Sequence, residues 1–154
     1  MAEKVISILY VDDETNNLLA FKATFRTKYI IHTALSGVEG LEILSKNEIH
    51  IVITDQRMPN MTGVEFLEKV IEKYPRPIRI LLTGYTDMSA IVDAVNKGEI
   101  YHYLNKPWDD DELEEVIQKA YEVYLKKLEV IEENKELSIT NSQLEFLLRQ
   151  KLLS

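Results

Sequence analysis

The sequence has no cysteine and little proline or glycine. The absence of cysteine excludes disulfide scaffolds, cysteine-bound zinc and thiol catalysis. Four prolines and five glycines in 154 residues, with 45% apolar and 29% charged residues, are typical of a globular chain. No apolar run approaches the roughly 18 to 20 residues that span a bilayer, and no signal-peptide pattern is visible. We therefore expect a soluble, cytoplasmic protein with about one domain.

Positive charge is also scarce. The chain has 18 Lys and Arg against 26 Asp and Glu, which gives a net charge of −8, and no basic cluster occurs. Because nucleic-acid binding depends on neutralising phosphates, we expect no direct contact with DNA or RNA. An acidic chain can instead place carboxylates around a divalent cation.

Short apolar segments alternate with amphipathic segments as far as about residue 125. The predicted strands are residues 5–11, 29–33, 49–54, 78–82 and 101–104. The predicted helices are residues 14–28, 36–46, 62–74, 87–97 and a last helix that begins near residue 109. This alternation predicts an α/β fold with a parallel sheet and helices on both faces.

Local signals define the ends of several helices. Ser36–Glu39 and Thr62–Glu65 have the capping-box pattern, in which both side chains satisfy backbone donors at a helix start. Pro75 predicts the end of the third helix, since proline cannot continue it. Gly98 predicts a left-handed cap after the fourth helix.

Polar residues follow four of the predicted strands. They are Asp12 and Asp13 after the first strand, Asp55 after the third, Thr83 after the fourth and Lys106 after the fifth. In open parallel sheets, ligands bind beyond the carboxyl ends of the strands. Clustered carboxylates favour Mg²⁺, and a lysine with a hydroxyl suits phosphate oxygens. The pattern predicts phosphoryl transfer onto a carboxylate nucleophile, because no histidine or cysteine follows these strands.

Four segments contain these residues: Tyr10-Val11-Asp12-Asp13-Glu14, Thr54-Asp55-Gln56-Arg57-Met58-Pro59, Leu82-Thr83-Gly84 and Asn105-Lys106-Pro107. Together they resemble the receiver domain of two-component response regulators over about residues 4 to 125. The resemblance implies a flavodoxin-like (βα)5 fold, a doubly wound sheet of five parallel strands in the order 2-1-3-4-5. An extended C-terminal helix follows that domain.

The resemblance also implies a role for each matching acidic residue. Asp55 matches the phosphoacceptor, which receives its phosphoryl group from the phosphohistidine of a histidine kinase or phosphotransfer protein. Asp13 and Asp55 would bind Mg²⁺ directly and Asp12 largely through water. The backbone carbonyl of Arg57 would complete the protein ligands.

The remaining motif residues match the groups that contact the phosphoryl group and transmit the signal. Lys106 would contact the phosphoryl group beside a cis Lys106-Pro107 peptide, and Thr83 would move to hydrogen-bond the phosphate. Tyr103 matches the aromatic switch residue that turns inward. The segment before it is slightly longer than in the simplest members, which leaves Tyr101 as the alternative.

The sequence after the predicted receiver domain (1–125) is a helical extension (126–154). No proline or glycine follows Asp109, so one long helix is expected. With Leu113 at position a of a heptad, the apolar a and d residues are Leu113, Val116, Ala120, Val123, Val130, Leu137, Leu144 and Leu148; the exceptions are Lys127, Asn134, Asn141 and Lys151. The pattern predicts a coiled coil that joins two copies or binds a partner helix. A fraying helix or a linker to another domain is the alternative.

The leading hypothesis is a phosphorylation-dependent signalling switch that is not a turnover enzyme. No DNA-binding, hydrolase or cyclase motif is visible, so an unknown protein or domain would supply the output. One alternative is a helical scaffold that works without phosphorylation. Another is a magnesium-dependent aspartyl phosphatase of the haloacid-dehalogenase type, which needs a second aspartate where this chain has Arg57.

The single tryptophan, Trp108, lies two residues beyond Lys106. We expect its indole at the mouth of the site. The alternative is that Trp108 caps the last helix and faces away.

Overall fold

The computed structural model describes residues 5–84 and 88–153, with only the backbone described for residues 136–142 and 151–153. The chain divides into two compact units, one that ends at Tyr124 and one that begins at Leu125.

The first unit alternates strands with helices in the predicted order. The strands are β1 (Ser7–Val11), β2 (Ile30–Ala34), β3 (Ile51–Asp55), β4 (Ile78–Thr83) and β5 (His102–Asn105). The helices are α1 (Thr15–Phe25), α2 (Gly37–Lys46), α3 (Gly63–Lys73), α4 (Met88–Asn96) and α5 (Asp110–Leu153), and α5 continues into the second unit. The start predicted for the fourth helix, Asp87, lies outside the described residues.

All strand pairs in the sheet are parallel, and the strand order is β2-β1-β3-β4-β5. The flavodoxin-like order implied by the resemblance is therefore confirmed. Every residue of β1, β3 and β4 is buried, because helices cover both faces of these central strands. The edge strands β2 and β5 are partly exposed.

The core occupies both faces of the sheet because successive strand residues point in opposite directions. Leu9 and Val11 of β1 belong to a cluster that contains Phe66 of α3. Tyr10, between them, contacts Phe21 of α1, with 4.6 Å between ring centroids. Burial of one aromatic side chain such as Phe66 stabilises the fold by roughly 2 to 3 kcal/mol.

The predicted helix ends are largely confirmed. Thr62 and Glu65 form a reciprocal capping box at the start of α3, and Gly98 has a φ of 76°. At the start of α2, Ser36 accepts a hydrogen bond from the Glu39 amide, but the Glu39 carboxylate accepts from the Leu35 amide instead. The capping box predicted at Ser36–Glu39 is therefore wrong in its glutamate half.

The part of α5 in the first unit is buried along one face. Leu113, Ile117, Ala120 and Tyr124 are buried, and this spacing follows the 3.6-residue period of a helix that covers a core. Leu113 and Ala120 were predicted as coiled-coil positions, but they are fully buried within this unit. That part of the heptad prediction is wrong, because side chains buried in this core cannot also contact a helix of a second molecule.

The second unit consists of the rest of α5. Several of its described apolar side chains are exposed, namely Leu125, Val130, Leu144, Phe146, Leu147 and Leu148, the last to 62%. Among the helices that the structure describes, none is long and apolar enough to cross a membrane.

Candidate functional site

Three carboxylates meet at the carboxyl ends of β1 and β3. Asp12 and Asp13 follow β1, and Asp55 is the last residue of β3. One oxygen from each carboxylate lies within 4.8 Å of the others. Asp12 and Asp55 are buried and Asp13 is exposed. The sheet therefore brings together the acidic residues predicted to form a metal site.

Lys106 lies between two of these carboxylates. Its Nζ is 2.7 Å from Asp12 Oδ2 and 3.3 Å from Asp55 Oδ1. Its backbone amide donates to the Thr83 carbonyl at 2.8 Å, which joins the ends of β4 and β5. The Lys106-Pro107 peptide is cis, as the resemblance implied.

The two buried carboxyl groups have opposite electrostatic environments. Burial alone raises the pKa of Asp12, but hydrogen bonds from Lys106 and the Glu14 amide outweigh it and hold that pKa below its ordinary value. For Asp55, burial is the largest effect and raises the pKa, the Lys106 charge opposes it, and repulsion from Asp12 adds to it. Burial lowers the pKa of Lys106, but the two carboxylates raise it above its ordinary value, so the ammonium stays charged.

Thr83 supplies a hydroxyl at the end of β4. The residue is fully buried, and its Oγ1 has no hydrogen-bond partner among the described residues. A buried polar group without a partner costs roughly 1 to 3 kcal/mol. The hydroxyl is therefore available to a ligand that brings an acceptor to this edge of the sheet.

Sequence reasoning did not identify the residues that hold the Asp12 carboxylate. Tyr10 donates its hydroxyl to Asp12 Oδ2 at 2.7 Å, and Asn17 Nδ2 donates to the same oxygen at 3.1 Å. The Glu14 amide donates to Oδ1 at 3.0 Å. The available signal was Tyr10 itself, because a tyrosine inside an aliphatic, buried strand needs a partner for its hydroxyl.

The loop after Asp55 is held by Gln56, which sequence reasoning also missed. The Gln56 amide donates to Asp55 Oδ1 at 2.9 Å, and its side-chain oxygen accepts from the Val64 amide at 2.9 Å. The Gly63 amide donates to the Gln56 carbonyl at 3.0 Å. These bonds fasten the start of α3 to the end of β3.

The remaining predicted residues surround this centre. Arg57 lies in the loop after Asp55 with an exposed side chain. Tyr103 is half-buried and packs against the core cluster, whereas Tyr101 is exposed. Trp108 is half-buried, and its ring meets those of Tyr10 and Phe21 edge to face at 6.0 and 6.2 Å.

The geometry defines a class of protein: a flavodoxin-like α/β domain with an acidic, lysine-containing site at the carboxyl edge of its sheet. Carboxylates of this kind suit a hard divalent cation, and the ammonium and the Thr83 hydroxyl suit an anion beside it.

Comparisons with known proteins identify the family. The family model of the response regulator receiver domain matches residues 8–118 of this chain. The chain is 38% identical to the hydrogenase transcriptional regulatory protein HoxA of Cupriavidus necator, and the match covers 79% of this chain and 25% of HoxA. It is 30% identical to sporulation initiation phosphotransferase F of Bacillus subtilis, over 73% of this chain and 90% of the relative.

A solved structure agrees with this assignment. The signal receiver domain of an HD domain-containing protein from Pseudomonas fluorescens is 35% identical, with a TM-score of 0.76, and the match covers 80% of this chain and 99% of that one. The chain therefore belongs to the response regulator receiver family, whose members are signalling switches. It spans about a quarter of the length of relatives such as HoxA.

Proposed function

We propose that Asp55 accepts a phosphoryl group from the phosphohistidine of a histidine kinase or a phosphotransfer protein. A carboxylate oxygen of Asp55 forms the new P–O bond while the P–N bond of the phosphohistidine breaks. The released imidazole nitrogen keeps the bonding electron pair, and the product is an acyl phosphate on Asp55. The position of Asp55 supports this assignment. Asp55 ends β3 beside Lys106, and its Oδ1 is 3.3 Å from Lys106 Nζ.

The observation that carries the proposal is that one ammonium contacts two carboxylates and that a buried hydroxyl lies at the end of the neighbouring strand β4. Lys106 Nζ is within reach of both Asp12 and Asp55, and the buried Thr83 hydroxyl lacks a partner among the described residues. In the proposed reaction Lys106 balances the charge of the phosphoryl oxygens, and Thr83 donates a hydrogen bond to one of them.

Members of the family bind Mg²⁺ at an acidic pocket, and the residues here fit that ion. Asp12, Asp13 and Asp55 offer carboxylate oxygens within 4.8 Å of one another. We assign these residues and the Arg57 carbonyl as the protein ligands, with Asp12 acting largely through water. When bound, Mg²⁺ neutralises the carboxylates and the incoming phosphoryl oxygens.

We infer that Tyr103 transmits the phosphorylated state. Tyr103 lies in β5 three residues before Lys106, and its register partner in β4 is Leu81, two residues before Thr83. A movement of Thr83 toward the phosphoryl group would open space beside the half-buried Tyr103 ring. The exposed position of Tyr101 favours Tyr103 for this role.

We propose a receiver domain at residues 1–125 and a helical extension at 126–154. The break between compact units after Tyr124 supports this division.

The apolar heptad residues Val130 and Leu144 are exposed, which supports a homodimer or a partner helix on the extension. We expect another protein or domain to supply the output. We place the protein in the cytoplasm and expect a switch that hydrolyses its own acyl phosphate without turnover of a substrate.

Labelling with acetyl phosphate and Mg²⁺ tests the function. The wild-type chain should take up close to one phosphoryl group, mapped to Asp55 by peptide mass analysis. Asp55→Asn should remain unlabelled, and Asp93→Asn, which alters an exposed aspartate paired with Lys97, should label normally.

Three other outcomes would reject the proposal. Labelling of Asp55→Asn at another residue would refute Asp55 as the acceptor. An unlabelled wild-type chain would favour the scaffold, and release of many equivalents of phosphate would favour the phosphatase.

A further inference from the structure

The Asp12 carboxylate is the most heavily bonded group of the site. It is fully buried, and four donors contact it. Three of them share Oδ2: the Tyr10 hydroxyl, the Lys106 ammonium and the Asn17 amide, at 2.7, 2.7 and 3.1 Å. A buried carboxylate that loses a charged donor is destabilised strongly unless other donors remain.

Lys106 has two competing tasks. In the unphosphorylated chain its Nζ is closer to Asp12 than to Asp55, at 2.7 against 3.3 Å. The proposed function requires the same ammonium to contact the phosphoryl group on Asp55. Any shift of Lys106 toward that group weakens its bond to Asp12.

The Tyr10 hydroxyl is placed to remain on Asp12 during that shift. Tyr10 is fully buried in β1, and its ring is enclosed by Phe21 and Trp108, with centroids 4.6 and 6.0 Å away. The phenol is therefore held against Asp12 Oδ2 by packing that does not involve Lys106.

We propose that Tyr10 is a positioning residue, whose hydroxyl keeps the buried Asp12 carboxylate bonded while Lys106 transfers from Asp12 to the phosphoryl group. This inference rests on the proposed function. It assigns to Tyr10 a part in the phosphorylated state and not in Mg²⁺ binding, because Asp12 keeps its bonds from Lys106 and Asn17 when no phosphoryl group is present.

Tyr10→Phe tests the inference, because it removes one oxygen atom and retains the ring. Calorimetric titrations would measure Mg²⁺ binding and then beryllofluoride binding at saturating Mg²⁺, with beryllofluoride as the phosphoryl mimic. We expect the affinity for beryllofluoride to fall roughly tenfold, the scale of one hydrogen bond to a charged group. The affinity for Mg²⁺ should change by less than about twofold, because its carboxylate ligands are intact.

The matched control is Tyr29→Phe. Tyr29 is also a buried tyrosine. Its hydroxyl accepts a hydrogen bond from Gln118 Nε2 at 3.0 Å and does not bond to Asp12. Its removal should leave both affinities unchanged. As a second variant, Asn17→Ala removes the longer of the neutral bonds to Asp12 Oδ2 and should lower beryllofluoride affinity by a smaller factor.

The outcomes distinguish failure of the proposed phosphorylation of Asp55 from failure of the proposed role of Tyr10. If the wild-type chain binds Mg²⁺ but no beryllofluoride, the proposed function fails and this inference with it. If the wild-type chain binds both, a Tyr10→Phe chain with unchanged beryllofluoride affinity overturns only the inference. An equal loss of Mg²⁺ and beryllofluoride affinity would also overturn it, since that pattern indicates a structural role. Should Tyr10→Phe not fold, a tenfold loss of beryllofluoride affinity in Asn17→Ala would decide against the inference, because Asn17 would then be the donor that holds Asp12.

Discussion

The Trp108 indole meets the Tyr10 ring edge to face with 6.0 Å between centroids, and the Tyr10 hydroxyl bonds to Asp12. The indole is therefore separated from the acidic cluster by a single side chain. Its Nε1 donates to Asp110 Oδ1 in the first turn of α5 at 3.0 Å. The indole therefore has a feature of each placement predicted from the sequence. Its nitrogen bonds to the start of α5, and its ring packs on Tyr10, whose hydroxyl contacts Asp12.

Trp108 emission should report on ligands at the site. Mg²⁺ and then beryllofluoride change the charge around Asp12, and that change reaches the indole through Tyr10. A fluorescence titration should show two successive changes in the wild-type chain. Asp55→Asn should lose the beryllofluoride response, and identical responses in the two proteins would mean that Trp108 does not sense the site.

Asp55→Asn should make the metal-free protein more stable near neutral pH. The pKa of Asp55 is raised above its ordinary value of 3.8 by burial, only partly offset by Lys106, and also by repulsion from Asp12. The folded chain thus binds this proton more tightly than the unfolded chain, so the carboxyl supports folding below pH 3.8 and loses that contribution as the pH rises through its raised pKa.

We expect a gain of about 1 kcal/mol in the free energy of unfolding at pH 7. Urea denaturation in chelator should show the gain, and the difference should shrink as the pH falls through the raised pKa toward 3.8, where the wild-type carboxyl becomes neutral. Asp93→Asn, at an exposed ion pair, should change stability by less than about 0.5 kcal/mol. A less stable Asp55→Asn chain at neutral pH would contradict the prediction.

Gly63→Ala should destabilise the protein and disturb the site. A Cβ at Gly63 would collide with the Asp55 carbonyl oxygen and lie 2.8 Å from Leu81 Cδ1. Because backbone and a core side chain must both shift, we expect a loss of about 1 to 3 kcal/mol. Thermal and urea unfolding would measure it.

Gly84→Ala is the control for that substitution. A Cβ at Gly84 meets no atom of the described residues within 4 Å, so stability should change little. Equal effects of the two substitutions would show that the close approach of Gly63 to Asp55 is not the cause.

Self-association through the extension should depend on its heptad positions. Leu144 and Leu148 occupy d and a positions and are exposed, so Leu144→Gln with Leu148→Gln should weaken any dimer by at least about tenfold. Phe146 is similarly exposed but lies at the outer f position, and Phe146→Gln should have little effect. Sedimentation with and without beryllofluoride would test both the dimer and its coupling to the switch. A wild-type chain that stays monomeric in both conditions would reject this role.

The extension shows where a sequence pattern and the structure diverge. The heptad count included Leu113 and Ala120, which the fold places in the core of the first unit. A helix that covers a sheet and a helix in a coiled coil have nearly the same apolar period, so sequence alone cannot tell which surface a leucine contacts.

The elements and the main site residues were predictable from local chemistry. Apolar runs of strand length, helix caps and the polar residues that follow four of the strands are short-range signals, and they indicated Asp12, Asp55, Thr83 and Lys106 directly. The strand order followed only from the family resemblance, since periodicity does not specify which strands are neighbours.

By itself the sequence determined that acidic and basic groups would meet at the carboxyl edge of a parallel sheet. Only the tertiary structure decided which donors share Asp12, that Thr83 lacks a partner among the described residues, and that Gly63 must be small beside Asp55. These relations depend on groups from separate elements, such as Asp12 after β1 and Lys106 after β5, which are far apart in the chain. Their distances depend on how the helices pack on the sheet, which no local pattern encodes.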